Sequence, residues 1–291
     1  MNIVSEDIVG IFDFEKYKEI VIFLGDVLSR SREDIQSTLF WEAVETGTTV
    51  GAASEDFGVT PHVYNEEMQR FYGVTDAFVF ELIVGHLRDA CKEIDRRVIE
   101  SVSRFAKGEQ MLCLGDGIGT DSLRFAKAGF DVTYFEFKGP SSDVAKRRFT
   151  QTETEGSIES IHELGNIPQE RYDTVINREV LEHVPDPPGV IEDIWQYLDE
   201  EGLAVVTESF SRVEDRFPTH LASNQKYAGK TDQLFVEEGF TLLDSYPGDR
   251  PLVFRKTEKT DSSRYNSLSP EYPVRDFVRR TARSIVDAIP A

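Results

Sequence analysis

The sequence has little cysteine and no recurring pattern of metal-binding residues. Only two cysteines, Cys91 and Cys113, occur in its 291 residues, and both fall in apolar patterns. This scarcity excludes a disulfide-stapled scaffold and favours buried, reduced thiols in a reducing cytoplasm. No cysteine or histidine spacing matches a zinc site, so the sequence predicts no metal site.

Long apolar runs are also absent. No stretch approaches the ~18 consecutive apolar residues that cross a bilayer, which argues against insertion into a membrane. Residues 1–7 contain no basic region and no cleavable apolar segment, so a secretory signal is not expected. We therefore expect a cytoplasmic protein, and its apolar content of 40% fits a globular core.

Positive charge is scarce relative to negative charge. Lys and Arg together number 32 against 53 Asp and Glu, which gives a formal net charge of −21 at pH 7. Such a surface repels phosphate backbones and anionic lipid, so nucleic acid is not expected as a partner. Two interpretations stay open. The protein is an ordinary acidic cytoplasmic enzyme, or it comes from a salt-rich cytoplasm in which carboxylates keep the surface hydrated.

Three glycines at alternate positions follow an apolar stretch. Residues 111–114 are predicted to form a buried strand, Gly115, Gly117 and Gly119 come next, and residues 120–128 have a helical pattern. Glycine permits so tight a turn and lets a ligand lie against the backbone. An open parallel sheet binds its ligand at the carboxyl end of such a strand. We call residues 115–119 the glycine loop.

An acid follows the glycine loop at an informative distance. The strand predicted over residues 131–137 carries Glu136, 17 residues after Gly119. An acid at the tip of the second strand can accept two hydrogen bonds from a ribose diol. The competing interpretation, a surface acid at the end of a strand, is weaker because the position is so specific.

A polar loop with an acid and a histidine follows a later strand. The buried pattern that starts at Tyr172 runs into Glu182 and His183, and a further apolar strand covers residues 202–208. The carboxyl ends of parallel strands meet at one edge of a sheet. The predicted strands therefore carry polar side chains to the edge at which a ligand would bind.

These motifs together resemble the class I S-adenosylmethionine-dependent methyltransferases. In that family a strand runs into G-x-G-x-G, an acid closes the second strand, and a later strand leads into Leu-Glu-His-hydrophobic, as at residues 181–184. The resemblance covers about residues 95–256. It implies an α/β fold, a Rossmann-like doubly wound seven-stranded sheet, here with an N-terminal helical cap. A dinucleotide-dependent oxidoreductase fits less well, because no glycine completes its G-x-G-x-x-G spacing.

The resemblance implies S-adenosylmethionine as cofactor and S-adenosylhomocysteine as product. The glycine loop would hold the amino-acid end and the ribose, and Glu136 would accept hydrogen bonds from the ribose hydroxyls. An acid before Pro168 would meet the adenine amino group. Glu163 has the best spacing and Asn166 is the second choice, although a solvated loop acid is an open alternative. The predicted cofactor-binding residues are Gly115, Asp116, Gly117, Gly119, Glu136, Glu163 and Asn177.

One position departs from the family pattern. The residue two before Gly115 is usually an acid that helps to hold the loop and the cofactor's amino group, and here it is Cys113. Asp116, inside the glycine loop, is a candidate substitute for that acid.

Two histidines are the predicted catalytic residues. His183 follows the fourth strand, where the family places the transferred methyl, and its ordinary pKa of about 6.5 suits a general base. His220 lies after the fifth strand, in a region that often forms a wall of the acceptor pocket in the family. A loop histidine that only packs or caps a helix is an open alternative for His183, because many members need no base.

Apolar spacing divides the chain into three zones. Residues 1–76 are predicted to form a helical N-terminal cap or lid, in which Tyr72 is one of several aromatic residues that could close a pocket or simply pack. Residues 77–257 are predicted to form the S-adenosylmethionine-binding domain. Residues 258–291 are predicted to form a polar linker and a C-terminal amphipathic helix.

The zones also predict individual elements. Apolar residues at helical spacing predict a first helix from Phe14, and a capping box at Ser31 predicts a second. Residues 46–54 are predicted to be a loop of small residues. One long helix is expected over residues 80–105, with an apolar stripe that packs on the sheet, and a hairpin over residues 240–255.

The expected acceptor is a small metabolite or a sugar, methylated on oxygen or nitrogen. No basic patch favours RNA or DNA, and the Asn-Pro-Pro-Tyr type of sequence found in amino-methylating nucleic-acid enzymes is absent at residues 177–180. The sequence also allows a homodimer. Two other functions stay open, an aminopropyltransferase-like enzyme on the same fold and a non-catalytic protein that binds the cofactor.

Salt dependence separates the two interpretations of the charge. For a protein from a salt-rich cytoplasm, we expect the free energy of unfolding to rise from low salt to molar potassium chloride, because ions screen the repulsion among its acids. Urea unfolding at both salt concentrations measures this. Equal stability at the two concentrations would reject the salt-rich origin.

Overall fold

The computed structural model describes residues 14–246, 248 and 250–257. The predicted linker over residues 258–273 and the predicted helix over residues 274–289 lie outside these described residues, as do Pro247 and Asp249 of the predicted hairpin turn. No helix of the described residues is both long enough and apolar enough to cross a membrane.

Helices make up the amino-terminal third of the described chain and then alternate with strands. Short 3-10 turns cover Leu164–Asn166, Leu181–His183 and Ala222–Tyr227. The α-helices are α1 (Phe14–Leu28), α2 (Arg32–Val44), α3 (Thr48–Phe57), α4 (Glu66–Val74), α5 (Ala77–Leu87), α6 (Asp89–Phe105), α7 (Thr120–Lys127), α8 (Pro140–Gln151), α9 (Pro187–Tyr197) and α10 (Thr231–Glu237).

Seven strands form one mixed sheet in the order β3-β2-β1-β4-β5-β7-β6. The first five strands pair in parallel and β7 pairs antiparallel with both β5 and β6. The doubly wound α/β fold and its closing hairpin are therefore confirmed. The strands are β1 (Gln110–Leu114), β2 (Asp131–Phe135), β3 (Ile158–Ile161), β4 (Tyr172–Arg178), β5 (Leu198–Thr207), β6 (Phe240–Ser245) and β7 (Leu252–Lys256).

Alternate residues of the central strands enter two separate cores. In β1, Leu112 and Leu114 pack on the face covered by α9, whereas Met111 and Cys113 pack on the face covered by α6. Side chains of a strand alternate between faces, so a continuous apolar run indicates a strand buried on both sides. This is why the apolar runs in the sequence predict the central strands.

The helix predicted over residues 80–105 is in fact two helices, because the backbone is extended at Arg88 (φ −72°, ψ 142°). The Arg88 guanidinium donates to the carbonyl oxygen of Ala43 at the end of α2, at 3.0 Å. The two halves of the apolar stripe consequently meet different partners. Phe80 of α5 packs with α1 and α2, whereas Val98 of α6 packs on the sheet as expected.

The loop predicted over residues 46–54 is also wrong, since most of it is helix α3. The buried carboxylate of Glu42 accepts hydrogen bonds from the backbone N–H groups of Gly47 (2.6 Å) and Thr49 (3.0 Å), which satisfies donors at the start of the helix. Small residues gave no apolar stripe to indicate a helix. The capping group comes from the preceding helix and is not visible in the local pattern.

A buried ion network joins β4, α6 and α7. The Arg178 guanidinium lies 2.9 Å from Asp121 of α7 and 2.8 Å from Asp95 of α6. Arg124 pairs with both carboxylates. Two cations and two anions therefore balance inside the protein, directly at the end of the strand that leads into the Leu181–His183 turn.

Loss of Arg178 should strongly destabilise the fold. We expect R178M to lower the free energy of unfolding by about 3 to 5 kcal/mol, because one arginine would then face two buried carboxylates. The matched control is R96M. Arg96 also bridges two carboxylates, Glu93 and Glu100, but on the exposed face of α6, where solvent screens such pairs and their loss costs little stability. Urea unfolding of both variants checks this, and equal losses would contradict it.

Candidate functional site

The three glycines of the loop have a backbone conformation that residues with a side chain rarely adopt. Gly115, Gly117 and Gly119 have φ values of +76°, +49° and +73°. A Cβ atom on Gly117 would lie 2.5 Å from Cδ1 of Leu82 in α5, and one on Gly115 would lie 2.6 Å from Cγ2 of Val180 after β4. The loop therefore needs glycine for its conformation and for its close contacts on two sides.

Asp116 stabilises the loop from within. Its carboxylate accepts hydrogen bonds from the backbone N–H groups of Asp121 (3.1 Å) and Ser122 (2.7 Å) in the first turn of α7. Burial, with the negative charge of Asp121 adding to it, raises the pKa of Asp116 to about 6. Cys113 lies beneath, fully buried, and burial raises the pKa of its thiol. Asp116 thus joins the glycine loop to the first turn of α7. Its role in holding a cofactor stays a prediction.

Glu136 extends from the end of β2 to the glycine loop. One carboxylate oxygen accepts from the backbone N–H of Gly117 and the other from that of Phe137, both at 2.9 Å. Burial raises the pKa of Glu136 to about 7 despite these two bonds. Each carboxylate oxygen has a further lone pair, so the group can still accept hydrogen bonds from a ligand lying on the loop.

The remaining predicted cofactor residues occupy different surroundings. Glu163 is exposed after β3, and Asn166 donates to its carboxylate at 3.3 Å. Asn177 is fully buried in β4, and its side-chain amide donates to the carbonyl oxygen of Leu114 at 3.2 Å. Asn177 therefore ties the end of β4 to the end of β1 beneath the loop, whereas Glu163 lies at the open edge.

Asn224 holds the Leu181–His183 turn in place, and we call this segment the Glu-His turn. The side-chain amide of Asn224 donates to the carbonyl oxygens of Leu181 (3.2 Å), Glu182 (3.2 Å) and Val184 (2.8 Å). Asn224 is itself almost fully buried. No local pattern in the sequence indicates this task, because only the folded chain brings Asn224 to the turn.

The two predicted catalytic histidines lie side by side. The ring centroids of His183 and His220 are 4.7 Å apart, with the rings nearly perpendicular. Burial lowers the pKa of His183 to about 4 and that of His220 to about 3. Both imidazoles are consequently neutral at pH 7. His183 Nδ1 lies 3.0 Å from the Tyr72 hydroxyl and 3.2 Å from the Thr219 carbonyl oxygen.

The amino-terminal helices close this part of the site. Tyr72 of α4 contacts His183, as just described. The backbone N–H of His62 donates to the carbonyl oxygen of Pro218 at 2.6 Å, and its ring Nδ1 lies 2.8 Å from the carbonyl oxygen of His220. Residues 62–72 therefore lie against the two catalytic candidates.

The sequence does not show that the carboxylate of Glu182 is buried without a hydrogen-bond partner. Its side chain is 1% exposed, and neither carboxylate oxygen has a hydrogen-bond partner. Ligating atoms of Glu182, His183 and His220 all lie within 4.8 Å of one another. His220 is 37 residues from His183 in the chain, so no local spacing could have indicated this group, and the expectation of no metal site did not consider it.

Comparisons with known proteins agree with this geometry. A family model described as a methyltransferase domain matches residues 86–244. The ubiquinone biosynthesis O-methyltransferase of Psychrobacter arcticus is 26% identical over 161 residues, which are 47% of this chain and 61% of that protein. The 23S rRNA (uracil(747)-C(5))-methyltransferase of Pyrococcus horikoshii is 48% identical over 50 residues, 17% of this chain and 12% of that protein.

Solved structures also resemble the chain. An N-methyltransferase of Bradyrhizobium japonicum, solved with S-adenosyl-L-homocysteine, has a TM-score of 0.43 and 16% identity over 57% of this chain and 87% of that chain. Among the curated relatives just named, the matched region spans less than two thirds of their own length.

The raised pKa of Glu136 predicts a pH-dependent stability. Between its ordinary value of about 4.5 and its folded value of about 7, the folded protein keeps a proton that the unfolded chain has lost. This contribution therefore favours folding below that window and is lost as the pH rises through it. We expect E136Q to gain free energy of unfolding relative to the wild type between pH 5 and 8.

Urea unfolding across that range measures the effect. The control is E153Q, since Glu153 is exposed before β3, and it should parallel the wild type. A constant difference between E136Q and the wild type would contradict the buried titration.

Proposed function

Because this chain belongs to the family of methyltransferase domains, we propose that it transfers the methyl group of S-adenosylmethionine to an oxygen or nitrogen of a small metabolite or sugar. One observation carries the proposal. The glycine loop after β1, Glu136 after β2 and the Glu-His turn after β4 meet at one edge of the sheet, where the strand order reverses between β1 and β4. This is the ligand position of a doubly wound sheet.

The glycine loop and Glu136 would bind the cofactor. In this proposal Gly115, Asp116, Gly117 and Gly119 form the surface for its amino-acid end and ribose. Glu136 lies 2.9 Å from the loop N–H of Gly117 and accepts hydrogen bonds from the ribose hydroxyls. Two further residues complete the proposed cofactor-binding set. Glu163 would lie on the adenine side, and Asn177 lies beneath the glycine loop.

Methyl transfer depends more on the relative position of the two reactants than on acid–base groups. The acceptor's lone pair forms a bond to the methyl carbon as the bond from that carbon to the sulfonium sulfur breaks, and neutral S-adenosylhomocysteine leaves. Alignment of the two reactants accounts for much of the lowering of the barrier. A base is needed only for an acceptor that arrives protonated. His183 and His220, held neutral by burial, are the proposed proton acceptors.

Charge and enclosure support a small acceptor. The net charge of −21 disfavours a nucleic acid, and the rRNA methyltransferase match covers only 17% of the chain. Tyr72 and His62 enclose the histidine pair, which suits a compact molecule. The relative from Psychrobacter arcticus is named an O-methyltransferase, so hydroxylated acceptors are the first to test. A homodimer stays a prediction.

Loss of the Glu136 carboxylate should weaken cofactor binding. We expect E136A to reduce the affinity for S-adenosylhomocysteine by about 10- to 100-fold, because charged hydrogen bonds to the ribose are lost. E153A is the control and should bind as the wild type does. Isothermal titration calorimetry measures both, and an unchanged affinity of E136A would reject the ribose assignment.

Methyl transfer itself is tested with isotopically labelled S-adenosylmethionine. The protein is incubated with an extract of its source organism at low and at high salt, and the extract is then separated into protein, nucleic acid, lipid, glycan and small-molecule fractions. Label in the small-molecule or glycan fraction supports the proposal. Gly117→Ala should abolish the label, because a residue with a side chain is strained at the φ of +49° and its Cβ would lie 2.5 Å from Cδ1 of Leu82. Gly51→Ala is the control, since its Cβ would meet nothing within 4 Å.

Other outcomes point elsewhere. Label in protein or nucleic acid would overturn the acceptor assignment but keep the reaction. No label in any fraction, together with tight binding of S-adenosylhomocysteine, would favour a non-catalytic protein that binds the cofactor.

A further inference from the structure

We propose that Glu182, His183 and His220 form a binding site for one divalent transition-metal ion of the zinc type. The proposal concerns a ligand other than the methyl donor and does not depend on methyl transfer. Two imidazole nitrogens and one carboxylate oxygen are a donor set that suits zinc and neighbouring divalent metals.

The three side chains are already close to a coordinating arrangement. Their ligating atoms lie within 4.8 Å of one another. Bonds of about 2.0 to 2.2 Å in a tetrahedral site place ligand atoms about 3.3 to 3.6 Å apart. A contraction of roughly 1 Å, within reach of small side-chain rotations, would therefore complete the site.

The surroundings of Glu182 are the strongest indication of a cation-binding site. Its side chain is 1% exposed and both oxygens lack hydrogen-bond partners. Among the described residues, no lysine, arginine or histidine forms an ion pair with it at salt-bridge distance. A buried carboxyl without partners is costly, and a metal ion would satisfy both its charge and its lone pairs.

The histidines have lone pairs to offer. In the proposed site the proton of His183 is on Nδ1, where it can be donated to the Thr219 carbonyl oxygen at 3.2 Å and to the Tyr72 hydroxyl oxygen at 3.0 Å, and Nε2 has the lone pair for the metal. Such a second hydrogen bond to a carbonyl is typical of metal-bound histidine. Nδ1 of His220 is buried and has no partner. Its ring is stacked on Phe217, with centroids 5.0 Å apart.

The backbone around the site is held rigidly enough for coordination. Asn224 makes three hydrogen bonds to the Glu-His turn, and the backbone N–H of Leu221, beside His220, donates to the carbonyl oxygen of Glu182 at 3.0 Å. The two ligand segments are thus tied to each other. A neighbouring carboxylate, Glu179, is not free to join them, because Ser209 and Arg250 already engage its oxygens.

Three protein ligands leave a coordination position for an oxygen of water or of a substrate. A metal-bound hydroxyl loses its proton more readily, which would favour an oxygen acceptor over other classes. This last step rests on the proposed function, in which a metal would replace the two histidines as the group that promotes loss of the proton, because metal-bound imidazoles cannot take it up. The metal site itself does not rest on that function.

The test is metal binding by the full chain in a C91S background, which removes the half-buried thiol. Protein stripped with a chelator is titrated with Zn²⁺ by calorimetry and with Co²⁺ by visible absorption. We expect one ion per chain and a rise in Tm with Zn²⁺. E182Q and H220Q should each lower the affinity by more than about 100-fold, beyond the loss typical of an outer-shell partner. H162Q, at a histidine near Glu136, should bind as the parent does.

Defined results of the metal-binding measurements would contradict the proposed site. Far-UV circular dichroism and thermal unfolding without metal confirm that each variant folds. Three results would overturn the site: no Zn²⁺ binding by the C91S parent, binding of several ions per chain without a defined stoichiometry, or E182Q and H220Q affinities equal to that of the parent. Methyl transfer without metal binding would reject this inference alone, and metal binding without methyl transfer would reject only the proposed function.

Discussion

The buried ion network around Arg178 is the constraint on which the site depends most. It joins the end of β4 to α6 and α7 through Asp95 and Asp121, and Arg124 balances the second negative charge. The start of α7 determines where the glycine loop ends, and the end of β4 determines where the Glu-His turn begins. Since buried charges tolerate little loss of a partner, the network fixes the two halves of the site relative to each other.

A second constraint comes from the amino-terminal helices, which close the site from above. Leu82 of α5 lies against Gly117, and Tyr72 of α4 contacts His183. Their enclosure removes water from the polar side chains beneath. Burial is the largest cause of the lowered pKa of both histidines and of the raised pKa of Glu182 and Glu136. The polar side chains of the site are therefore buried next to one another inside a strongly acidic chain, an environment in which perturbed pKa values often mark function.

Local patterns predicted the sheet well because its signals are local. Continuous apolar runs indicated the central strands, and the alternate glycines indicated the loop after β1. The same reasoning failed where the decisive partner lies in another helix. Helix α3 begins at the carboxylate of Glu42, and the helix break at Arg88 is held by carbonyl oxygens at the end of α2. Ala43 precedes Arg88 by 45 residues, and although Glu42 precedes Gly47 by only five, apolar spacing does not show that its side chain caps the next helix.

The sequence by itself determined the order of strands and helices, the glycine loop and the presence of an acid and a histidine after β4, since these depend on residue types at short spacing. Only the tertiary structure decided what those side chains meet. It brings His220 to His183 across 37 residues, turns Glu136 onto the loop, and buries Glu182 without a partner. The reason is physical: burial, charge pairing and ligand geometry are set by contacts between distant segments, and no local pattern encodes them.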